Sequence, residues 1–401
     1  MILPWLLSFA SEWDVKGHAE CANPTSPVIH WTAIGLLLVL FAILALGARQ
    51  LSFTADEPAY IAGGYALWSK GAEAFSPLLA AWEAALIYLT DPDILVDQLW
   101  GWPTHYDSFV HAFEPYLRPL RRSEIVSRVP VMGLTVLLGA VVFRWAKDLW
   151  GQRAALLALF VLSFDPLLLA HGRLATTDAG VVTLGTAALY AAWRWADALL
   201  VSARANWGWA LGTGALLGLT MLAKVSGPLW AGAAVLIMVA AMLLFYCKSG
   251  LRSGDLHPTE VHKGKLRGQV LACGGVGFLI FWAGYEFTWG WVSGIPFPVP
   301  APAHWESFLY LNTYTSVYAA LGRRWYAPQW WYFPLAFLIK NPLPLLIGLL
   351  VSWGRYTRRS FSPLRLEALG FFPLLYAAVA IGRGMNIGYR HMLPVHPFLY
   401  L

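Results

Sequence analysis

Two acidic motifs in this sequence carry the residue types that general acid–base chemistry uses. The first, Asp56-Glu57-Pro58, directly follows an apolar run. Neighbouring carboxylates beside such a run are costly unless they are hydrated, paired or functional. One of them can take a proton from a hydroxyl group while the other orients that hydroxyl or a cation. The alternative is helix initiation, because acids before a proline suit a helix N-terminus.

The second acidic motif runs from His171 to Asp178 and lies between two apolar runs. Thr177 or Asp178 can simply cap the helix that follows. His171 taken alone is typical of a hydrogen-bonded histidine at a membrane interface. We nevertheless expect this motif and Asp56 on the same side of the membrane, which favours one shared site over two unrelated caps.

Positive side chains stand at two later positions. Lys340 precedes Asn341-Pro342, where the asparagine is expected to cap a helix that begins at the proline. Arg390 and His391 precede the last apolar run. A lysine or arginine here either anchors the chain at lipid headgroups or binds a phosphate, which arginine grips with two hydrogen bonds. The sequence contains no phosphate-loop or dinucleotide motif, so we expect any phosphate to arrive from the membrane.

The composition indicates what must position these motifs. The chain has 401 residues, of which 58% are hydrophobic and 12% charged, against about 25% charged in soluble proteins. The mean hydropathy is +0.56. Long uncharged runs predict an all-α polytopic membrane protein, since helices pair their own backbone groups in lipid. The net charge of +6 is attributed to cytoplasmic loops, so no nucleic-acid partner is expected.

We predict one transmembrane domain over residues 1–401 with about ten spans. The candidate spans are Trp31–Ala48, Val129–Phe143, Ala154–Ala170, Ala179–Leu200, Gly208–Ala223, Val225–Tyr246, Val270–Tyr285, Pro342–Trp353, Leu366–Gly382 and a segment that opens at Met392. A cytoplasmic N-terminus places most short basic loops inside and all four charged motifs outside. Two long outer loops follow, over residues 50–128, which carry the first acids, and 286–341. The apparent helix at Leu401 suggests either a short last span or a truncated C-terminus.

The motifs, taken in order, resemble the membrane glycosyltransferases of the C-type fold, specifically family 39 and its bacterial relatives. These relatives include the protein O-mannosyltransferases and the lipid A aminoarabinose transferases. The matching segments are Asp56-Glu57-Pro58 with Gly63 to Leu67, His171 to Leu174 with Thr177-Asp178-Ala179, Leu222 to Gly227, Tyr332 to Pro344, and Gly388 to Pro394. Each segment is weak singly, whereas the ordered set is specific.

The resemblance implies transfer of a sugar, with inversion, from a polyprenyl-phosphate donor to an acceptor hydroxyl at the outer face of the bacterial inner membrane. It assigns the catalytic base to Asp56, with Glu57 beside it. Asp178 then helps to hold the acceptor, the donor head or a metal. The remaining substrate contacts that it suggests are His171, Arg173, Lys340, Tyr389, Arg390 and His391. The acceptor class (protein, lipid or glycan) stays open.

One segment departs from the pattern of the relatives. Phe75-Ser76-Pro77-Leu78-Leu79 stands where they usually have a His-Pro-Pro-Leu-like stretch. A divalent metal is therefore left open, with His105 and His111 as later histidines in the same loop. The loop segment Ser76–Leu89 is predicted to form an amphipathic helix at the interface.

Two other functions are weighed against sugar transfer. A transporter or flippase of a polyprenyl-linked or other anionic lipid also places charges near the membrane. Such a protein is expected to show repeated halves and broken helices, and the sequence indicates neither. A scaffold protein without chemistry would leave the outer acids and arginines unexplained.

Overall fold

The computed structural model describes residues 26–54, 56–71, 76–90, 121–202, 206–251, 260–313, 318–356, 370–384, 386 and 388–401. The α-helices are α1 Pro27–Ala48, α2 Glu57–Lys70, α3 Pro77–Thr90, α4 Arg121–Trp150, α5 Gln152–Ser163, α6 Pro166–His171, α7 Thr177–Ser202, α8 Trp207–Ala223, α9 Gly227–Leu251, α10 Glu260–Ala283, α11 Pro302–Thr313, α12 Tyr332–Lys340, α13 Leu343–Tyr356, α14 Phe372–Arg383 and α15 His396–Tyr400. A 3₁₀ helix spans Tyr389–Val395. Two antiparallel hairpins pair β1 Trp289–Gly290 with β2 Val299–Pro300, and β3 Tyr318–Ala320 with β4 Arg323–Trp325.

Four of the described helices are long and apolar enough to cross a membrane: α1, the Glu124–Trp150 part of α4, the Gly227–Cys247 part of α9, and the Gly264–Ala283 part of α10. A fifth candidate is the pair α12 and α13, which is bent by 109° between Lys340 and Leu343. The predicted class, an all-α polytopic membrane protein, is confirmed. About ten spans stays a prediction, since α5, α8 and α14 are apolar but shorter.

Helix α7 forms the centre of the bundle, and most of its side chains are buried. It packs against α4, α8 and α9. Small residues permit this close approach: at Gly185 an added Cβ would meet the ring of Trp230. In the same way, Gly214 of α8 lies directly against the backbone of Cys273 in α10. Backbone contact through glycine is typical of helices that pack in lipid. The first turn of α7, which carries Asp178, is buried in the same bundle.

Two local expectations from the sequence are wrong. The predicted span Ala154–Ala170 is broken into α5 and α6, because Asp165 caps a new helix at Pro166 by accepting the Leu168 N–H at 2.9 Å. Asn341 does not cap the helix after it. Its side chain donates to the carbonyl of Phe337 at 2.8 Å and so ends α12.

The helix predicted over Ser76–Leu89 is confirmed as α3. One face of α3 is buried, through Leu79, Ala80 and Ala84, whereas Trp82 and Leu89 are exposed. The buried face packs mainly on α2, where Gly64 lies against the backbone of Ala80. Helix α3 therefore supports α2, the helix that carries Asp56 at its start.

Candidate active site

A cavity of about 270 Å³ lies where the starts of α2, α7 and α9 meet the 3₁₀ helix and parts of α11, α12 and α14. The residues with polar groups in its lining are Asp56, Tyr60, Thr176, Asp178, Lys224, Ser226, Tyr376, Arg383, Arg390 and His391. The apolar lining residues are Val225, Leu229, Phe308, Phe333, Val379 and Ala380. The two acidic motifs and one of the two basic motifs, which lie far apart in sequence, therefore contribute to one cavity. That cavity is charged on part of its lining and apolar on the rest.

Two ion pairs cross this cavity. Asp56 accepts a hydrogen bond from Arg390, and Asp178 accepts one from Lys224. Asp56 occupies the position before α2 but makes no side-chain cap, so its carboxylate is directed to the site instead. About a third of the Asp56 and Arg390 side chains remains exposed, whereas Asp178 is 8% exposed. A ligand can therefore reach Asp56 more easily than Asp178.

Burial favours the neutral form of both histidines of the motifs. Burial, with a further contribution from Lys224, lowers the pKa of His391 to about 4, although Asp178 opposes the shift. Burial also lowers the pKa of His171, again against the effect of Asp178. The Nε2 atom of His391 is buried without a hydrogen-bond partner in the described part of the chain. His391 therefore offers a neutral polar group, suited to a hydroxyl, and adds no positive charge for a phosphate.

Glu57 lies outside the cavity, fully buried in an ion pair with Arg128 of α4. The guanidinium Nε–H and one Nη2–H of Arg128 donate to the two carboxylate oxygens of Glu57, at 2.7 and 2.8 Å. The remaining Arg128 N–H groups donate to the carbonyls of Ala48, Leu51 and Ser52, each at 2.9 Å. This contact joins the end of α1, the start of α2 and the first turns of α4.

Glu57 also accepts two backbone hydrogen bonds at 2.8 Å, from the N–H groups of Thr54 and Ala175. Ala175 precedes the cavity residue Thr176. Because every oxygen of Glu57 is used in this way, its carboxylate has no contact with the cavity. The geometry supports a positioning role, in which Glu57 sets the distance between the segments that carry Asp56 and Asp178.

Four other predicted substrate contacts do not line the cavity, namely His171, Arg173, Lys340 and Tyr389. Lys340 is exposed at the end of α12, just before the 109° bend. Tyr389 is buried, and its hydroxyl accepts a hydrogen bond from Asn341 Nδ2 at 2.7 Å. Consecutive side chains in a 3₁₀ helix point about 120° apart, so Arg390 faces a different direction from Tyr389. The guanidinium group of Arg173 packs against Gly47 of α1, in space that a Cβ atom at that position would fill. These positions depend on helix ends and bends, which the motifs do not encode.

Three cavity residues were missed as site residues by sequence reasoning. Lys224 lies in the matching segment Leu222 to Gly227 but receives no role there, although a charge beside a span is a functional candidate by itself. Arg383 lies outside the matching segments, so the motifs do not single it out. Tyr60 carries no such signal, since its place one turn after Asp56 becomes meaningful only when α2 faces the cavity.

A metal site has no support from the described residues, in which no three His, Cys, Asp or Glu side chains are grouped to hold an ion. His105 and His111 lie outside the described residues, as does Phe75. The described residues therefore do not test whether His105 and His111 take part in binding a divalent metal.

Glu83 of α3 leads to a prediction about stability. Its carboxyl group is fully buried, and neither oxygen has a hydrogen-bond partner in the described ranges. Burial, followed by the charge of Glu57, raises the pKa of Glu83 well above its usual value of 4.5. The folded protein thus keeps a proton that the unfolded chain releases, so the free energy of unfolding should fall as the pH rises above about 4.5. Glu83→Gln should reduce this fall and be more stable than the wild type at pH 8.

The measurement is thermal unfolding of the detergent-solubilised protein at pH 6 and pH 8. Glu306→Gln, which removes an exposed carboxylate, is the control and should keep the wild-type pH dependence. An identical pH dependence in Glu83→Gln and the wild type would contradict a protonated Glu83.

In comparisons with known proteins, the central part of the chain matches one protein family. Residues 120–248 match the family described as dolichyl-phosphate-mannose-protein mannosyltransferase. The match covers about a third of the chain and includes Arg128, Asp178 and Lys224, but neither Asp56 nor Arg390. Searches of curated proteins and of solved structures found no match. The predicted resemblance is confirmed over this region, and the protein is similar there to the family 39 membrane glycosyltransferases.

Proposed function

We propose that the protein transfers a sugar from a polyprenyl-phosphate donor to an acceptor hydroxyl, with inversion, at the outer face of a bacterial inner membrane. The observation that carries this proposal is the shared cavity, in which two carboxylates and three cations meet beside an apolar wall. The family match supports a membrane glycosyltransferase similar to mannosyltransferases. The outer location rests on the predicted span alternation, which puts Asp56, Asp178 and Arg390 on one side.

Asp56 is proposed as the general base. It removes the proton of the acceptor hydroxyl, whose oxygen attacks the anomeric carbon from the face opposite the phosphate. The new glycosidic bond forms as the bond between that carbon and the phosphate oxygen breaks. The electron pair leaves with the polyprenyl phosphate, and cationic side chains stabilise the negative charge that develops there.

The charges of the cavity support a phosphate-bearing donor. Lys224, Arg383 and Arg390 carry three positive charges against the two negative charges of Asp56 and Asp178. The surplus of one positive charge matches a phosphodiester, which carries one negative charge. The apolar lining by Leu229, Phe308 and other residues suits the lipid portion next to it. Asp178, already paired with Lys224, is proposed to hold a sugar or acceptor hydroxyl.

The test of this function is a transfer assay with the purified protein in lipid vesicles. Polyprenyl-phosphate donors with radiolabelled sugars are supplied with a membrane extract that contains protein, lipid and glycan acceptors. Label that moves from the donor to an acceptor in a protein-dependent way supports the proposal and identifies the acceptor class. Absence of transfer for every donor, with folded protein, would contradict it.

Removal of the phosphate-binding arginines should weaken donor binding. Arg383→Ala and Arg390→Ala each remove a charge-assisted hydrogen bond, so the affinity for a polyprenyl phosphate should fall about tenfold to a hundredfold. Isothermal calorimetry with farnesyl phosphate in detergent measures this change. Arg324→Ala is the control, because Arg324 is exposed on β4 and does not line the cavity. Unchanged affinity in both cavity variants would reject their phosphate role.

One observation favours the alternative of a transporter or flippase. The sequence indicated no broken helix, whereas α12 and α13 form a pair bent by 109°. Broken helices are frequent at transport sites. However, Lys340 at the bend is exposed and lies outside the cavity lining. In the vesicle assay, a flippase would move the intact labelled lipid between leaflets without moving label to an acceptor.

A further inference from the structure

The contact between Asp56 and Arg390 joins the proposed base to a proposed phosphate ligand. Arg390 Nη1 donates to Oδ2 of Asp56 across 334 positions of sequence. Asp56 makes no cap to α2, so this oxygen is directed to Arg390. An oxygen that accepts from a guanidinium group has a lone pair engaged and is turned towards that cation, so it is less available to the proton of a hydroxyl. In this arrangement one of the two oxygens of the proposed base is therefore held by Arg390.

The other cations of the cavity differ from Arg390 in their partners. Lys224 pairs with the nearly buried Asp178. Arg383 lines the cavity and has no ion pair in the part of the chain that the structure describes. A phosphate that enters the cavity thus meets a free Arg383 and an Arg390 whose ion pair is about one third exposed. A phosphate that bridges the two arginines makes charge-assisted hydrogen bonds to both, whereas Asp56 offers a contact to only one.

We infer that Arg390 binds Asp56 and the donor phosphate in turn, so that donor binding releases the base for catalysis. This inference rests on the proposed function and adds an order of events to it. Before the donor binds, Arg390 holds Asp56. Phosphate bound between Arg383 and Arg390 takes over the guanidinium, and the freed carboxylate then faces the acceptor. Asp56 and the phosphate consequently compete for one side chain.

This competition predicts the direction in which removal of the Asp56 charge changes the affinity for phosphate. Asp56→Asn keeps the shape of the side chain but removes the negative charge that competes for Arg390. Binding of farnesyl phosphate should therefore become about threefold to tenfold tighter, since a partly exposed ion pair contributes only modestly. In an Arg390→Ala background, Asp56→Asn should have no such effect, because the shared side chain is absent. Calorimetry on the four proteins gives this double-mutant cycle.

A control variant removes a carboxylate from a similar pair elsewhere. Asp148 accepts a hydrogen bond from Arg194. Arg194 lies sixteen positions along α7 from Asp178, which is about 24 Å of helix. Asp148→Asn should leave the affinity for farnesyl phosphate unchanged.

The outcomes separate this inference from the proposed function. Unchanged or weaker phosphate binding by Asp56→Asn overturns the inference. Equal tightening with and without Arg390 also overturns it, since loss of general repulsion between Asp56 and the phosphate then explains the gain.

If Asp56→Asn is inactive in sugar transfer but binds phosphate like the wild type, only the inference fails. If it transfers sugar at the wild-type rate, Asp56 is not the base and the proposed mechanism fails too. No binding to any of the four proteins overturns the phosphate role itself.

Discussion

Asp56→Asn is expected to reduce sugar transfer by about a thousandfold, because the amide cannot accept the proton of the acceptor hydroxyl. The loss should fall on kcat, since the interaction is made with the proton in the transition state. The asparagine fits the same space at the start of α2, where Asp56 makes no cap. Folding should therefore be retained, and thermal unfolding should resemble that of the wild type.

The measurement is the rate of label transfer with saturating donor in vesicles. Asp148→Asn is the matched control, since it also removes a carboxylate paired with an arginine, but far from the cavity. Its rate should stay within about twofold of the wild type, as expected for a change with no contact to the reacting groups. Full turnover by Asp56→Asn, with the protein folded, would remove Asp56 from the mechanism.

Arg128→Ala is expected to destabilise the protein by about 3–5 kcal/mol. The change leaves the carboxylate of Glu57 buried without its cation and removes the donors to three backbone carbonyls. Because Arg128 joins α1, α2 and α4, its loss should also disturb the position of Asp56. Activity per folded molecule should therefore decrease as well. Thermal unfolding in detergent and the transfer assay measure the two effects.

Arg144→Ala is the control for this prediction. Arg144 lies on the same helix and contacts Asp148 at 3.3 Å, but 55% of its side chain is exposed. Exposed pairs of this kind contribute about 1 kcal/mol or less. If the two variants proved equally stable, the contact between Arg128 and Glu57 would not hold these helices together.

The contrast between Asp56 and Glu57 shows where sequence reasoning ends. The motif predicted two carboxylates at one site, and either of them suited the role of a base. In the structure, Asp56 faces the cavity, whereas Glu57 is directed to Arg128 of α4 and lies outside the cavity lining. Adjacent residues at a helix start point in different directions, and the partner that decides between them lies 71 positions away.

The class of the protein followed from the amino-acid sequence. Long apolar runs determine that the chain forms membrane helices, because only helices and closed barrels satisfy the backbone in lipid. The order of these runs also led to the expectation that Asp56, Asp178 and Arg390 lie on one side. These features are local or depend only on counting spans.

The tertiary structure alone decided which charges meet. It pairs Asp56 with Arg390 and Asp178 with Lys224, it adds Arg383 to the cavity, and it places Lys340 outside. The physical reason is that such pairings depend on which helices pack together and how each is rotated and broken. Glycine contacts within the bundle and the 109° bend after α12 are part of that packing, and no local sequence period records them.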